Sequence, residues 1–100
     1  MTYSVKFRED AFKEWKKLDK SIQQQFAKKL KKCCVEPHIP SAKLRGMPNC
    51  YKIKLRASGF RLVYEVMDNV LIIAVVAVGK RERSEAYELA SKRLGKQTTL

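Results

Sequence analysis

One hundred residues carry 22 Lys and Arg against 10 Asp and Glu, a formal charge of +12, with 45% of the residues apolar. That length fits one compact domain, and that apolar share excludes a disordered basic tail. A charge this large opposes compaction by self-repulsion and favours a polyanionic partner: nucleic acid first, then an acidic protein, then a membrane surface.

The longest apolar run, VLIIAVVAV from Val70 to Val78, is about half of what a spanning helix needs, so no membrane segment is expected. The start, MTYSVKFRED, lacks the basic-then-apolar layout of a secretory signal. Three cysteines, with Cys33 and Cys34 adjacent, make no disulfide framework and read as reduced thiols of a cytoplasmic protein. Without CxxC spacing, and with His38 the single histidine, no metal or other cofactor is expected.

In chain order, Tyr3, Val5 and Phe7 alternate with polar residues and predict a short strand. From Asp10 the period turns helical, with Ala11/Phe12, Trp15 and Leu18 on one stripe. A second helix is expected from Ser21, where Ser21 and Gln24 fit a capping box. Its stripe is Ile22, Phe26, Leu30 and Cys33/Cys34, and Pro37 stops it. The segment EPHIPSAKLRGMPN holds all three prolines and reads as a loop, with His38 expected to be simply solvated. Three strands follow over about 50–57, 60–67 and 70–78, joined by two-residue turns at Ser58-Gly59 and Asp68-Asn69. A last helix runs from Ser84 as N-cap to Leu94, with Gly95 as its stop. The expected domain is residues 1–95, with 96–100 a loose tail.

The order β-α-α-β-β-β-α gives an α+β fold: a mostly antiparallel four-stranded sheet with helices packed on one face. Strand 70–78, apolar at nearly every position, belongs in its centre. Alternation in CYKIKLRASGFRLVYEV sorts Lys52, Lys54, Arg56 and Arg61 onto one face and Tyr51, Ile53, Leu55, Leu62, Tyr64 and Val66 onto the other. A two-residue turn sets Arg56 opposite Arg61, Lys54 opposite Val63 and Lys52 opposite Glu65. Directly opposed like charges destabilise a hairpin unless an anion fills the site. A solvated outer face that resists aggregation accounts for the same spacing. Lys43 and Arg45 lie on the preceding loop, and Lys80, Arg81 and Arg83 emerge near the rim. Tyr87 fits either core packing with Ala90 and Leu94 or stacking on an exposed base.

Nothing in the sequence assembles a Ser-His-Asp or Cys-His set, a Walker loop or a carboxylate cluster. What fits a cationic face is metal-free cleavage of RNA by its own 2′-OH. A lysine whose pKa is lowered by neighbouring cations can take the proton, and arginines can stabilise the charged transition state.

KLRGMPNCYKIKLRASGFRLVYEV followed by VGKRERSEAY closely resembles the RelE toxins of type II toxin–antitoxin modules, and the likeness runs from FREDAFKEWKKLDKSIQQQF through Leu94. The resemblance implies a RelE/ParE-like fold and an endoribonuclease that cuts mRNA in the A site of the 70S ribosome, against 16S rRNA. It implies catalytic positions at Lys52, Lys54, Arg61, Arg81 and Tyr87. The lysines would serve as base or stabiliser, Arg61 would hold the phosphate, Arg81 would act as acid or stabiliser, and Tyr87 would orient nucleotides. Lys43, Arg45, Arg56, Lys80 and Arg83 would bind RNA. It further implies an acidic RelB-like antitoxin, two of each chain per complex, reaching operator DNA only through the antitoxin. Two other readings are a gyrase poison of the ParE branch, against which the five matched positions speak, and a non-catalytic RNA- or ribosome-binding protein.

Overall fold

A computed structural model describes residues 2–80 and 85–95. The order is β1 (Ser4–Phe7), α1 (Glu9–Lys16), α2 (Lys20–Cys33), β2 (Cys50–Leu55), β3 (Phe60–Met67), β4 (Ile72–Lys80) and α3 (Glu85–Gly95), with a 3₁₀ turn at Pro40–Ala42. The sheet runs β1-β4-β3-β2. β2–β3 and β3–β4 are antiparallel, and β1 joins β4 in parallel. This is the expected α+β sheet, mostly antiparallel, with the apolar strand inside it.

Amphipathic periodicity places α1 and α2 together on one face. Ala11, Ile22, Phe26, Leu30 and Cys33 pack on Ile53, Leu55, Leu62, Tyr64, Val66, Ile73 and Val75. The expectation of helices on a single face is corrected for α3. Its Ala86 and Ala90 pack on Cys50, Val63, Val76 and Ala77, which point the other way. A bulge adds to this second core: Val63 faces Ala77 and Tyr64 faces Val75, leaving Val76 as the extra residue. Val76 and Ala77 thus both serve the α3-side core, a local twist of the kind bulges impose.

The N-cap of α2 lies two residues before its sequence signal. Asp19 is the N-cap with extended backbone, so Ser21 lies inside the helix and the capping box does not form. No helix among the described residues is long and apolar enough to cross a membrane. Residues 96–100, expected as a tail, lie outside the described residues, as does Ser84.

Both hairpin turns are longer than two residues. Leu55 pairs with Phe60 and Met67 with Ile72, leaving the four-residue loops 56–59 and 68–71. Each ends on a left-handed residue, Gly59 at φ +78° and Leu71 at φ +54°. Lys54 therefore stands opposite Arg61, Lys52 opposite Val63, and Cys50 opposite Glu65, while Arg56 leaves the strand for the turn. The slip equals one full pleat repeat, so every side chain keeps its expected face.

Candidate functional site

Strand alternation sends Lys52, Lys54 and Arg61 to the α3 side of the sheet, where α3 covers only the inner part, over Val63 and Ala77. Lys52 and Arg61 are half-buried, and Lys54 is exposed. Arg61 and Lys54 face each other directly, a repulsive pair in the middle of the hairpin.

α3 brings Tyr87 to this row. Arg61 Nη1 donates to the Tyr87 hydroxyl at 2.9 Å, and the guanidinium carbon stands 5.8 Å from the ring centre. The hydroxyl and the electron-rich face both favour a cation, so Tyr87 holds Arg61 in place beside Lys54. The ring also leans on the α3-side core next to Ala86 and Ala90. Core packing, one of the two readings the sequence left open for Tyr87, is therefore seen together with a hydrogen bond to Arg61. Beside the row, a cavity of about 280 Å³ is lined by Lys54, Leu55, Arg56, Gly59 and Arg61. Three cations around a small open cavity suit a phosphate group.

The structure thus brings Lys52, Lys54, Arg61 and Tyr87 together, with Arg56 at the cavity's rim. It separates others from them. Lys43 is bridged to Tyr51, and directly opposed residues share a face, so Lys43 leaves toward the α2 side while Leu44 packs on the α3-side core. Lys80 pairs with Phe60, and its ammonium lies 5.5 Å from the Phe60 ring centre. Phe60 packs with the α1–α2 core, so Lys80 belongs to that side. Arg45 is exposed in the loop before β2. Arg81 and Arg83 lie outside the described residues. Among the described residues, no group of three or more His, Cys, Asp or Glu is placed to hold a metal ion.

Other residues escaped the sequence reading. His38 bridges two partners: its Nδ1 meets the Tyr51 hydroxyl at 3.0 Å, and its Nε2 meets Asp68 Oδ1 at 2.8 Å. Asp68 also accepts from the Tyr3 hydroxyl at 2.5 Å. That bond, followed by the one to His38, holds its carboxyl below the usual carboxylate range. Burial raises all three cysteine thiols, Cys50 up to about 11, which makes each a poor nucleophile. Glu14 and Arg93, 79 residues apart, form a bidentate pair. No local signal marks any of these contacts, because each joins distant parts of the chain.

The family described as ParE toxin of type II toxin-antitoxin system, parDE, matches residues 5–85. A RelE-like toxin protein of Escherichia coli is 80% identical over 94% of this chain and 99% of its own length. The mRNA interferase toxin RelE of E. coli strain K12 is 53% identical over the same shares. Among solved structures, an arginine-substituted mutant of E. coli RelE in complex with an antitoxin RelB peptide superposes with a TM-score of 0.78 at 52% identity, covering 93% of this chain and 98% of that one. The four-stranded sheet, the hairpin's cationic row and this kinship along almost the whole chain agree: the protein belongs to the RelE toxins within the ParE-type family of type II toxin–antitoxin systems.

Proposed function

We propose that this toxin is a ribosome-dependent endoribonuclease that cuts mRNA in the A site and so stops translation. The observation that carries the proposal is the convergence of Lys52, Lys54 and Arg61 on one face, with Arg61 fixed by the Tyr87 hydroxyl at 2.9 Å. The 2′-OH of a ribose attacks the adjacent phosphorus, the P–O5′ bond breaks, and the products carry a 2′,3′-cyclic phosphate and a 5′-OH. A lysine amine, Lys52 or Lys54, takes the 2′ proton. Arg61 balances the charge that builds on the phosphorane oxygens. Arg81, on the segment just after β4, is the proposed donor of the proton that O5′ needs. Arg56 lies where a neighbouring phosphate would pass, and Tyr87 gives the flanking nucleotide a surface to stack on. Arg45, Lys43, Lys80 and Arg83 belong to the wider contact with ribosomal RNA.

Such a set is weak on free RNA, since nothing in it grips a flexible strand in line for attack. The ribosome provides that positioning by holding the codon still. The naming of a related chain as an mRNA interferase supports this reading. A RelB-like antitoxin is the proposed neutralising partner, its acidic segment matched to a +12 surface. The working compartment is the cytoplasm, where ribosomes are.

Primer extension on mRNA programmed into ribosomes tests the proposal. Wild-type protein is expected to give cuts within the A-site codon, and Arg61→Ala to lower the rate by about a hundredfold, in line with the loss of one preorganised charge donor. Equal cleavage by a folded Arg61→Ala protein would exclude the mechanism. DNA breaks with intact mRNA would point to gyrase instead.

A further inference from the structure

α1 and α3 lie on opposite faces of the sheet, yet two of their side chains meet around one strand. β1 ends at Phe7, opposite Val75, and the Arg8 N–H closes the last bond to the Val75 carbonyl. Past that point β4 has no strand on its β1 side. Glu14 and Arg93 occupy the uncovered edge. Arg93 Nη1 donates to the Val76 carbonyl at 2.6 Å and to Glu14 Oε1 at 3.0 Å, and its Nη2 donates to Glu14 Oε2 at 3.0 Å. Glu14 Oε1 also accepts the Val78 N–H at 3.1 Å. Asp10 adds a weaker contact, its Oδ2 lying 3.8 Å from Arg93 Nε. One ion pair thus satisfies an edge N–H and an edge C=O, and it ties the last turn of α3 to α1.

The rest of α3's attachment is apolar: among its described side chains Ala86 and Ala90 are fully buried, and Tyr87, Leu89 and Leu94 are partly buried against the same core. Apolar contacts are non-directional, so they hold the helix to the sheet while a directional anchor decides how it lies. The Arg93 side chain is 14% exposed and that of Glu14 22%, dry enough for a planar bidentate pair to hold its geometry. Tyr87 sits six residues before Arg93 on the same helix, about 9 Å along its axis. A rigid helix passes the anchor's position on to the tyrosine.

We propose that Arg93 and Glu14 are positioning residues for the site: their clasp over the β4 edge fixes α3, and through it keeps the Tyr87 hydroxyl on Arg61. The part that concerns cleavage rests on the ribonuclease reading. The part that concerns α3 does not. Two measurements on the full chain test it.

In hydrogen exchange followed by mass spectrometry, Arg93→Ala is expected to speed exchange over residues 85–95 by about tenfold while the β2–β3 hairpin is unchanged. Arg93→Lys, which keeps the charge but loses the fork, is expected to fall between. Unaltered α3 exchange in both variants overturns the inference. On programmed ribosomes, Arg93→Ala is expected to lower the turnover rate by about tenfold with little change in half-saturation. In a Tyr87→Ala background it is expected to add no further loss. An equal added loss in both backgrounds would mean that Arg93 acts through stability alone, and would overturn the inference. A wild-type protein that leaves the codon intact sinks the ribonuclease reading, and the clasp is then decided by the exchange result.

Discussion

Arg61 is a cation placed opposite another cation, and Tyr87 gives it a partner that favours its charge. Across the hairpin stands Lys54, and the phenol supplies an acceptor at 2.9 Å and a ring face at 5.8 Å. Tyr87→Phe removes the acceptor and leaves the ring. A hydrogen bond to a charged group contributes about 1.5–3 kcal/mol, and water can replace part of it at a half-exposed site. Single-turnover cleavage by Tyr87→Phe is therefore expected to slow by about tenfold, near the bottom of that range, and Tyr87→Ala to slow more. Equal rates for Tyr and Phe would leave the hydroxyl with no part in the reaction. A second residue-level expectation concerns Asp68, whose carboxyl is held low by the Tyr3 hydroxyl and then by His38. A depressed folded-state pKa stabilises the protein above the unfolded value of about 3.9, and that stabilisation is lost as pH falls through the folded value. Wild type is thus expected to melt above Asp68→Asn at neutral pH, with the gap beginning to narrow below about pH 4 and narrowing further as pH falls. Melting curves of the two proteins across acid pH decide it, and a gap that does not narrow as pH falls through the acid range would contradict the pairing.

The β2–β3 hairpin shows which features a strand pattern reveals and which it hides. Alternation has period two, so it names the face of each residue without naming its partner. Lys52, Lys54 and Arg61 were legible as one row for that reason, and a slip of one pleat repeat left the row intact. Cross-strand partners depend on the loop, and the loop depends on one backbone conformation at its end. At Gly59 that conformation, φ +78°, has a fitting residue. At Leu71, φ +54°, it has none, so nothing in Asp68-Asn69 foretold a four-residue turn. The side of the sheet taken by α3 was equally hidden, because an apolar stripe records that a helix is buried and not where. Val76 joins the α3-side core through the bulge, which no residue type announces. Gly59→Ala tests the turn directly. A Cβ there meets open space, so the cost is the left-handed backbone alone, about 1–2 kcal/mol. A urea midpoint lowered accordingly with an unchanged slope is the expected outcome, and no shift would mean that the turn relaxes at no cost.

Taken whole, the molecule divides its charge between two surfaces that behave differently. The α3 side carries the cationic row and its tyrosine. The far side is covered by α2, which buries Ile22, Phe26, Leu30 and Cys33 and turns Lys20, Lys28, Lys29, Lys31 and Lys32 outward with no acid anywhere in the helix. Lys28–Lys32 is a like-charge pair at i,i+4, and Lys28–Lys31 and Lys29–Lys32 are pairs at i,i+3, each unfavourable by about 0.2–0.5 kcal/mol in low salt. Apolar burial opposes them: Phe26, fully buried against Trp15, holds α2 down through contacts that salt does not screen. Two independent terms of this kind separate by ionic strength. With the screening length falling from about 14 Å in 0.05 M salt to about 4 Å in 0.5 M, the folded protein is expected to gain melting temperature. The double substitution Lys28→Gln, Lys31→Gln is expected to raise the melting temperature in low salt and to lose that advantage in high salt. Phe26→Ala is expected to lose about 3–5 kcal/mol in both. A lysine effect that ignores salt would show that these side chains act through packing of their stems. An effect that fades with salt identifies +12 as a standing cost of the free fold, which a bound polyanion removes by the same screening.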